Sequence, residues 1–248
     1  MSTPPNGLID TPTAISTLID TLVDLPTNPP SLYIDLEGVH LSRFGSISIL
    51  QLLVAPTNET YLLDVHVLGD KVFSAPGVNG STLKDILESA SIPKVFFDVR
   101  NDSDALFSHF NIKLSDVVDV QLMELAARTS GKKFVNGLSK CIERSLVLTY
   151  SEKQRLRDTK EAGLKLFAPE RGGQYEVFNV RPLPNELRLY CLQDVHYMPR
   201  LWLHYNARLH GAWGNRVQEA TKDRVTLSQS ESFNGKGPHM ALPPTGWF

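Results

Sequence analysis

Acidic side chains occur at two distant points of the chain, with spacings that place each pair on one face of its element. Asp35 and Glu37 are two residues apart at the end of an apolar run that begins at Leu32, and residues i and i+2 of a strand leave the same face. Tyr190 and Asp194 are four residues apart, a spacing that shares one helix face. Converging carboxylates repel one another unless a cation lies between them, and hard oxygen ligands favour Mg²⁺ or Mn²⁺. The two segments therefore predict the two ends of one metal-binding site.

Composition indicates an ordinary globular chain. Its 248 residues are 42% hydrophobic and 21% charged, enough for one large domain or two small ones. Two cysteines, Cys141 and Cys191, provide no disulfide framework, which fits a reducing, intracellular compartment, cytoplasmic or nuclear. We expect ordinary buried thiols at both positions.

Charge and hydropathy limit the partners of the protein. The first seven residues contain no basic segment followed by an apolar stretch, and no run reaches the ~18 apolar residues of a membrane span. Secretion and membrane insertion are therefore not expected. The net charge of -2 supplies no global attraction for nucleic acid, so any phosphate binding must be local.

Apolar periodicity predicts the elements that must position these residues. The first helix is predicted at about 13–25, followed by three strands close enough in sequence for antiparallel pairing. These strands are predicted at 32–36, 46–54 and 60–65. Helices and strands then alternate, which argues for an α/β fold with a mixed sheet flanked by helices. The alternating elements are helices at 81–90, 102–110 and 121–128 and strands at 94–98 and 116–120.

The remainder reads as mostly helical. Helices are predicted at 138–146, 150–166 and 185–209, and Pro199 is expected to kink or split the last of them. Residues 169–173 read as a loop. After about Gly211 the apolar periodicity fades, 228–238 resembles a linker, and the apolar end 242–248 is expected to dock on the protein or on a partner.

The acidic segments resemble the three exonuclease motifs of the DEDD superfamily. The resembling segments are Asp35-x-Glu37-Gly38, Phe97–Leu106 and Tyr190-x-x-x-Asp194. A tyrosine, rather than a histidine, four residues before the last aspartate is typical of the DEDDy branch, which includes ribonuclease D. Within this branch the chain is similar to the 3'-5' exonuclease domain proteins related to Exd1 and Egalitarian. Further similarities lie at Gly45–Gln51, Val117–Gln121, Gly137–Lys140 and Arg181–Leu183.

The resemblance covers roughly residues 10 to 210 and implies a ribonuclease H-like fold with a helical C-terminal part. It divides the chain into a flexible N-terminus at 1–9, an exonuclease domain at 10–212, and a partly linker-like C-terminal extension at 213–248. No appended RNA-binding domain is recognisable, so a protein partner is a candidate for targeting.

The second motif leaves its metal ligand open, because Asp98, Asp102 and Asp104 all lie near the expected position. The phase of the family pattern, four residues before Leu106, favours Asp102 over Asp104. Asp102 can equally serve only as a first-turn acid that the helix dipole favours.

The resemblance implies a metal-dependent 3'-5' exonuclease that uses two divalent cations, Mg²⁺ or Mn²⁺, on single-stranded or 3'-overhanging nucleic acid, with RNA slightly favoured over DNA. By family analogy Asp35 bridges both ions, Glu37 and Asp194 hold the ion on the nucleophile side, and Asp102 supports the second ion. Tyr190 is expected to orient the attacking water, because an unperturbed tyrosine pKa of about 10 makes a poor base at neutral pH. A different class stays open: a catalytically silent module that binds nucleic acid or acts as a scaffold.

Substrate contacts are predicted at six further positions, which follow the motifs or carry positive charge. They are Leu41, Phe44, Arg100, Asn101, Lys132 and Lys133. A second basic set, at Lys153, Arg155, Arg157 and Lys160, either contacts phosphate or forms the solvated face of a helix.

Overall fold

A computed structural model of the protein describes residues 8–247. The expected flexible N-terminus at 1–9 lies mostly outside the described residues. The strands of the described part are β1 (Leu8–Ile9), β2 (Leu32–Glu37), β3 (Ile49–Val54), β4 (Glu59–Asp64), β5 (Lys94–Phe96) and β6 (Val117–Asp119).

These strands form one mixed sheet in the order β1-β4-β3-β2-β5-β6. The three consecutive strands β2, β3 and β4 pair antiparallel, as their close succession predicts. β5 and β6 continue the sheet in parallel, each reached through a helical crossover. The prediction of a mixed sheet flanked by helices is confirmed.

Most of the helices lie close to their predicted positions. The helices are α1 (Pro12–Thr21), α2 (Val65–Leu68), α3 (Lys71–Ser74), α4 (Leu83–Glu88), α5 (Arg100–Phe110), α6 (Val120–Ala127), α7 (Leu138–Ser145), α8 (Tyr150–Phe167), α9 (Asn185–His196), α10 (Met198–Asn206) and α11 (Trp213–Ser228). Of these, α2, α3 and α11 were not predicted. The predicted helix at 185–209 is split into α9 and α10. Pro199 lies in the first turn of α10, where its missing N–H costs no helical hydrogen bond.

Strand alternation divides the core between the two faces of the sheet. Leu32, Ile34 and Leu36 of β2 pack on one face, in the cluster that also contains side chains of α1, α4 and α5. Tyr33 points to the opposite face, which α6, α7 and α10 cover. Because the period of a strand is two, Asp35 must share the face of Tyr33.

The C-terminal segment is more ordered than its linker-like composition predicts, because α11 packs against α5, α6 and β6. Its buried stripe is largely polar, which explains the missing apolar signal; the members are Val217, Ala220, Thr221, Arg224 and Ser228. The Arg224 guanidinium pairs with the buried Asp119 carboxylate at 2.7 Å. Phe233 and Trp247 are also buried, so this segment extends the core. The boundary at residue 212 stays a prediction.

Both cysteines are buried and free, as expected. Among residues 8–247, no helix combines the length and the apolar character that crossing a lipid bilayer requires.

Candidate active site

The first pair of acids lies at the end of β2, half-buried on the face that α9 covers. Gly38 follows at once, and an added Cβ there would lie 2.0 Å from the Ser46 carbonyl oxygen. Glycine is therefore required immediately after the acidic pair, since any side chain would push this backbone segment away from Ser46.

The second pair arrives on α9, which packs across β2, β3 and β4. Leu187, Cys191 and Val195 form the buried stripe of this helix and leave Tyr190 and Asp194 beside the end of β2. The segment before α9 is fixed by Arg181, whose guanidinium makes two hydrogen bonds of 2.5 and 2.6 Å to the buried Asp64 carboxylate. The register of α9 on the sheet thus depends on an ion pair between residues 117 positions apart.

Three carboxylates meet where the two elements converge. Ligand oxygens of Asp35, Glu37 and Asp194 all lie within 4.8 Å of one another. One strand and one helix supply them, as the spacing predicts. Oxygen donors of this kind suit a hard divalent cation, so the residues present fit the metal that the family pattern implies.

The electrostatics of the cluster favour a bound cation. Burial, together with the charges of neighbouring acids, raises the pKa of Asp35 and of Glu37 well above the ordinary carboxyl value. Burial likewise raises the pKa of Asp194 to about 7, although hydrogen bonding to Tyr190 and the charge of Lys160 oppose the rise. Ionising all three groups therefore needs a compensating positive charge.

The Tyr190 side chain is half-buried at this site. Burial, followed by the charges of Asp194, Glu37 and Asp35, raises its pKa well above 10. The phenol therefore keeps its proton, and its hydrogen bonding lowers the pKa of Glu37 and of Asp194. A protonated hydroxyl held beside two carboxylates is arranged to orient a ligand rather than to accept a proton.

The three candidate acids of the second motif have different surroundings. The Asp104 carboxylate accepts hydrogen bonds from the Arg43 backbone N–H at 2.8 Å and from Arg43 Nε at 2.6 Å. Asp98 pairs with the Arg100 guanidinium. Asp102 is buried and electrostatically coupled to the cluster, because its charge raises the pKa of Asp35.

Burial, followed by the charge of Asp98, raises the pKa of Asp102 well above the ordinary carboxyl value. The N–H of Leu36, between the two acids of β2, opposes this rise at both Asp35 and Asp102, so the Asp102 carboxylate lies near β2. Within residues 8–247, the cluster of carboxylate oxygens that lie within 4.8 Å of one another comprises Asp35, Glu37 and Asp194, and it does not include Asp102. The surroundings favour Asp102 over Asp104 as the acid of the second motif, and its role as a ligand stays a proposal.

The acids open into a cleft of about 420 Å³. Its lining consists of Asp35, Glu37, Phe97, Gly137, Leu138, Ser139, Lys140, Lys160, Tyr190 and Asp194. Motif reasoning alone did not single out Lys140 or Phe97. The pattern Gly137–Lys140, which resembles the family, was the available signal for that wall of the cleft.

The predicted substrate-binding residues fall into different places. Phe44 is 90% exposed, whereas Leu41 packs against the core below it. Both line a pocket of about 470 Å³ that also contains Asn101. These positions border the first motif, and their contact with substrate stays a prediction.

The predicted basic contacts are not brought to the acidic cleft. Arg100 is 7% exposed; it holds Asp98 and donates to the Met240 carbonyl at 2.7 Å. The Lys132 ammonium lies 3.7 Å from the centre of the Trp213 ring, a cation–π contact with the C-terminal segment. Lys133 is exposed beside the ring of Phe134. Packing with residues far along the chain decides the positions of Arg100 and Lys132, and local sequence does not show these contacts.

Comparison with known proteins agrees with this geometry. A family model described as a 3'-5' exonuclease matches residues 8–209. The chain belongs to this 3'-5' exonuclease family. The mouse piRNA biogenesis protein EXD1 is 30% identical over 172 residues, which cover 66% of this chain and 27% of that protein. The human protein of the same name is 29% identical, and its matched part covers 30% of its length. The chain thus spans less than a third of the length of these two relatives.

Three solved structures share the fold of this chain. Trypanosoma brucei RNase D in complex with the RNA U12 has a TM-score of 0.76 and 19% identity, over 97% of this chain and 76% of that one. Escherichia coli RNase D has a TM-score of 0.59 and 18% identity, over 93% and 51% of the two chains. Brucella melitensis NrnC with bound Mg²⁺ has a TM-score of 0.57 and 17% identity, over 87% and 96%. The predicted ribonuclease H-like fold is confirmed.

Proposed function

We propose that this protein is a DEDDy-type 3'-5' exonuclease that removes nucleotides from the 3' end of single-stranded or 3'-overhanging nucleic acid, with RNA preferred over DNA. One observation carries the proposal: the carboxylates of Asp35, Glu37 and Asp194 meet within 4.8 Å of one another, with the Tyr190 hydroxyl beside them. A scaffold would need neither the converged acids nor the tyrosine beside them, and gathering unpaired carboxylates raises the cost of folding.

Two divalent cations, Mg²⁺ or Mn²⁺, would be held by Asp35, Glu37 and Asp194, with Asp102 supporting the second ion. When bound, such ions stabilise the charge that develops on the scissile phosphate and lower the pKa of the attacking water. Support for Mg²⁺ comes from the Brucella melitensis NrnC structure, which contains this ion, and from the all-oxygen donor set.

The protein's own groups prepare the site for this chemistry. Asp35 and Glu37 are fixed by the pairing of β2 with β3, in which Asp35 lies opposite Gln51 and Glu37 opposite Ile49. Tyr190 keeps its proton because burial raises its pKa, so its hydroxyl donates a hydrogen bond and orients the nucleophile.

The preference for RNA rests on the kinship with RNase D, one structure of which contains RNA. The acids themselves contact only phosphate and metal, which RNA and DNA share, so the preference must arise from neighbouring groups that sense the 2'-hydroxyl. A protein partner for targeting stays a separate prediction.

The test uses 12-residue single strands of RNA and DNA of one sequence, labelled at the 5' or the 3' end, with Mg²⁺, Mn²⁺ or chelator. We expect metal-dependent shortening of the 5'-labelled strand in single-nucleotide steps and immediate release of the 3' label. The double variant Asp35→Asn, Glu37→Gln should be inactive. The matched control Asp70→Asn, Glu170→Gln changes two exposed acids and should retain activity. Bound but intact strands under every condition would refute the exonuclease and favour a scaffold.

A further inference from the structure

The basic residues predicted along α8 differ in their position relative to the acidic cleft. Lys153, Arg155 and Arg157 are exposed, as expected for a solvated helix face. Lys160 is half-buried and lines the cleft together with Asp35, Glu37 and Asp194. One member of the basic set therefore faces the candidate chemistry, and the others do not.

The Lys160 ammonium is held in the cleft by a neutral partner. Its Nζ donates a hydrogen bond to the Ser139 hydroxyl at the start of α7, and Ser139 also lines the cleft. Within residues 8–247, no carboxylate oxygen lies within 4.0 Å of this nitrogen. An ammonium has three donors, so two remain free for a ligand that enters the cleft.

Charge indicates what that ligand is. A nucleic-acid strand that reaches the acids must bring its own phosphates into a cleft that already contains carboxylates, and phosphate contacts in proteins come mainly from lysine and arginine. Two basic residues, Lys160 and Lys140, line this cleft in the described part of the chain. Of the two, Lys140 is exposed, whereas the position of Lys160 is fixed by Ser139.

We propose that Lys160 binds a phosphate oxygen of the substrate strand at its 3' end, and that the Ser139 hydroxyl holds the ammonium in position for this contact. This inference rests on the proposed function and adds to it a substrate-binding residue outside the three motifs. The opposing interpretation is that Lys160 only offsets the negative charge of Asp35, Glu37 and Asp194.

The experiment measures binding of a fluorescently labelled single-stranded RNA of 12 nucleotides by anisotropy, in chelator, across a salt series. Each phosphate contact on a single strand contributes about 0.7 to the slope of log Kd against log salt. We expect Lys160→Gln to reduce the slope by about 0.7, so that its affinity deficit relative to the wild type shrinks about 2.6-fold between 50 and 200 mM salt.

Two matched variants test whether a change in slope is specific to the charge at position 160. Lys160→Arg keeps the charge and should keep the slope. Lys165→Gln removes an exposed charge from the same helix and should also leave the slope unchanged. Thermal unfolding checks that each variant folds, and Lys160→Met, which keeps the aliphatic stem, replaces the glutamine variant if that variant does not fold.

A wild-type slope in Lys160→Gln would overturn the proposal, and tighter Mn²⁺ binding by that variant in calorimetry would then identify Lys160 as a charge that only offsets the acids. An equal loss of slope in Lys165→Gln would also overturn it. Failure of the proposed function looks different: the wild type would bind the strand with its full slope and leave the 3' end intact in Mg²⁺ and Mn²⁺.

Discussion

The contact between Gly163 of α8 and Tyr190 of α9 leads to a sharp prediction. A Cβ added at Gly163 would lie 2.7 Å from Tyr190 Cδ2, 2.8 Å from Cγ and 2.9 Å from Cβ. Carbon atoms normally approach no closer than about 3.5 Å, so the overlap with each of these atoms is more than about half an ångström. Neither side can yield by bending a flexible chain end, because the atoms belong to the base of the tyrosine side chain.

The expected cost is therefore larger for catalysis than for folding. Overpacking a core costs about 1–3 kcal/mol, and replacing a helical glycine by alanine returns about 1 kcal/mol, so Gly163→Ala should lose about 0–2 kcal/mol of unfolding free energy. The same overlap moves the Tyr190 hydroxyl relative to Glu37 and Asp194. A displacement of about 1 Å in a positioned catalytic group costs on the order of 100-fold in rate.

The assay compares kcat and KM for 3'-end hydrolysis with urea unfolding of the same preparations. Gly214→Ala is the matched control, because Gly214 lies in α11 with no atom within 4 Å of an added Cβ. That control should keep wild-type kcat and gain up to about 1 kcal/mol in stability.

A double-mutant cycle decides whether Gly163 acts through the tyrosine. In the background of Tyr190→Phe, which lacks the hydroxyl, Gly163→Ala should reduce kcat far less than it does in the wild type. A wild-type kcat for Gly163→Ala, or a loss of the same size in both backgrounds, would refute the positioning argument.

Three further outcomes are expected. The pKa of Asp35 is raised well above the ordinary carboxyl value and that of Asp194 to about 7, so the metal-free folded state binds protons more tightly than the unfolded chain. Its melting temperature should therefore fall as pH rises from 4 through 7. Mg²⁺, which would neutralise the acids, and Asp35→Asn, which removes one of them, should each reduce this fall. A melting temperature that rises over this range contradicts the reasoning. Tyr190→Phe should lower kcat about 10- to 100-fold and leave Mn²⁺ affinity in calorimetry nearly unchanged, and loss of metal binding would argue against an orienting role. Arg43→Ala should cost about 3 kcal/mol or more in urea unfolding, because it removes the only side-chain cation paired with the buried Asp104 in residues 8–247 and leaves it a backbone N–H. Arg171→Ala removes an exposed ion pair and should cost at most about 1 kcal/mol; equal costs would refute this difference.

The Arg43 prediction also tests the C-terminal segment. Besides holding Asp104, the Arg43 guanidinium donates to the carbonyls of Ser228 and Ser230 at 2.9 and 2.8 Å. A truncation after residue 212 should therefore destabilise the loop that follows the first motif, and hydrogen exchange at residues 40–45 would measure the effect.

Local periodicity determined much of this protein. The two-residue spacing of Asp35 and Glu37 and the four-residue spacing of Tyr190 and Asp194 fix which side chains share a face, because strands and helices repeat with fixed periods. The apolar runs likewise predicted the antiparallel strands β2, β3 and β4, and Pro199 predicted the kink or split of the last helix. These inferences needed only neighbours in the sequence.

Tertiary structure decided what depends on distant partners. The spacing to Leu106 favoured Asp102 over Asp104 by family analogy, but the sequence could not show that Asp104 is occupied by Arg43, 61 residues away. Lys160 differs from its basic neighbours only because α8 turns it toward the cleft. The helix α11 carries a polar buried stripe that becomes visible only when Arg224 meets Asp119, 105 residues earlier. Contacts across such separations leave no periodic signal in the chain, since each half of the pair is an ordinary charged residue until the fold brings the two together.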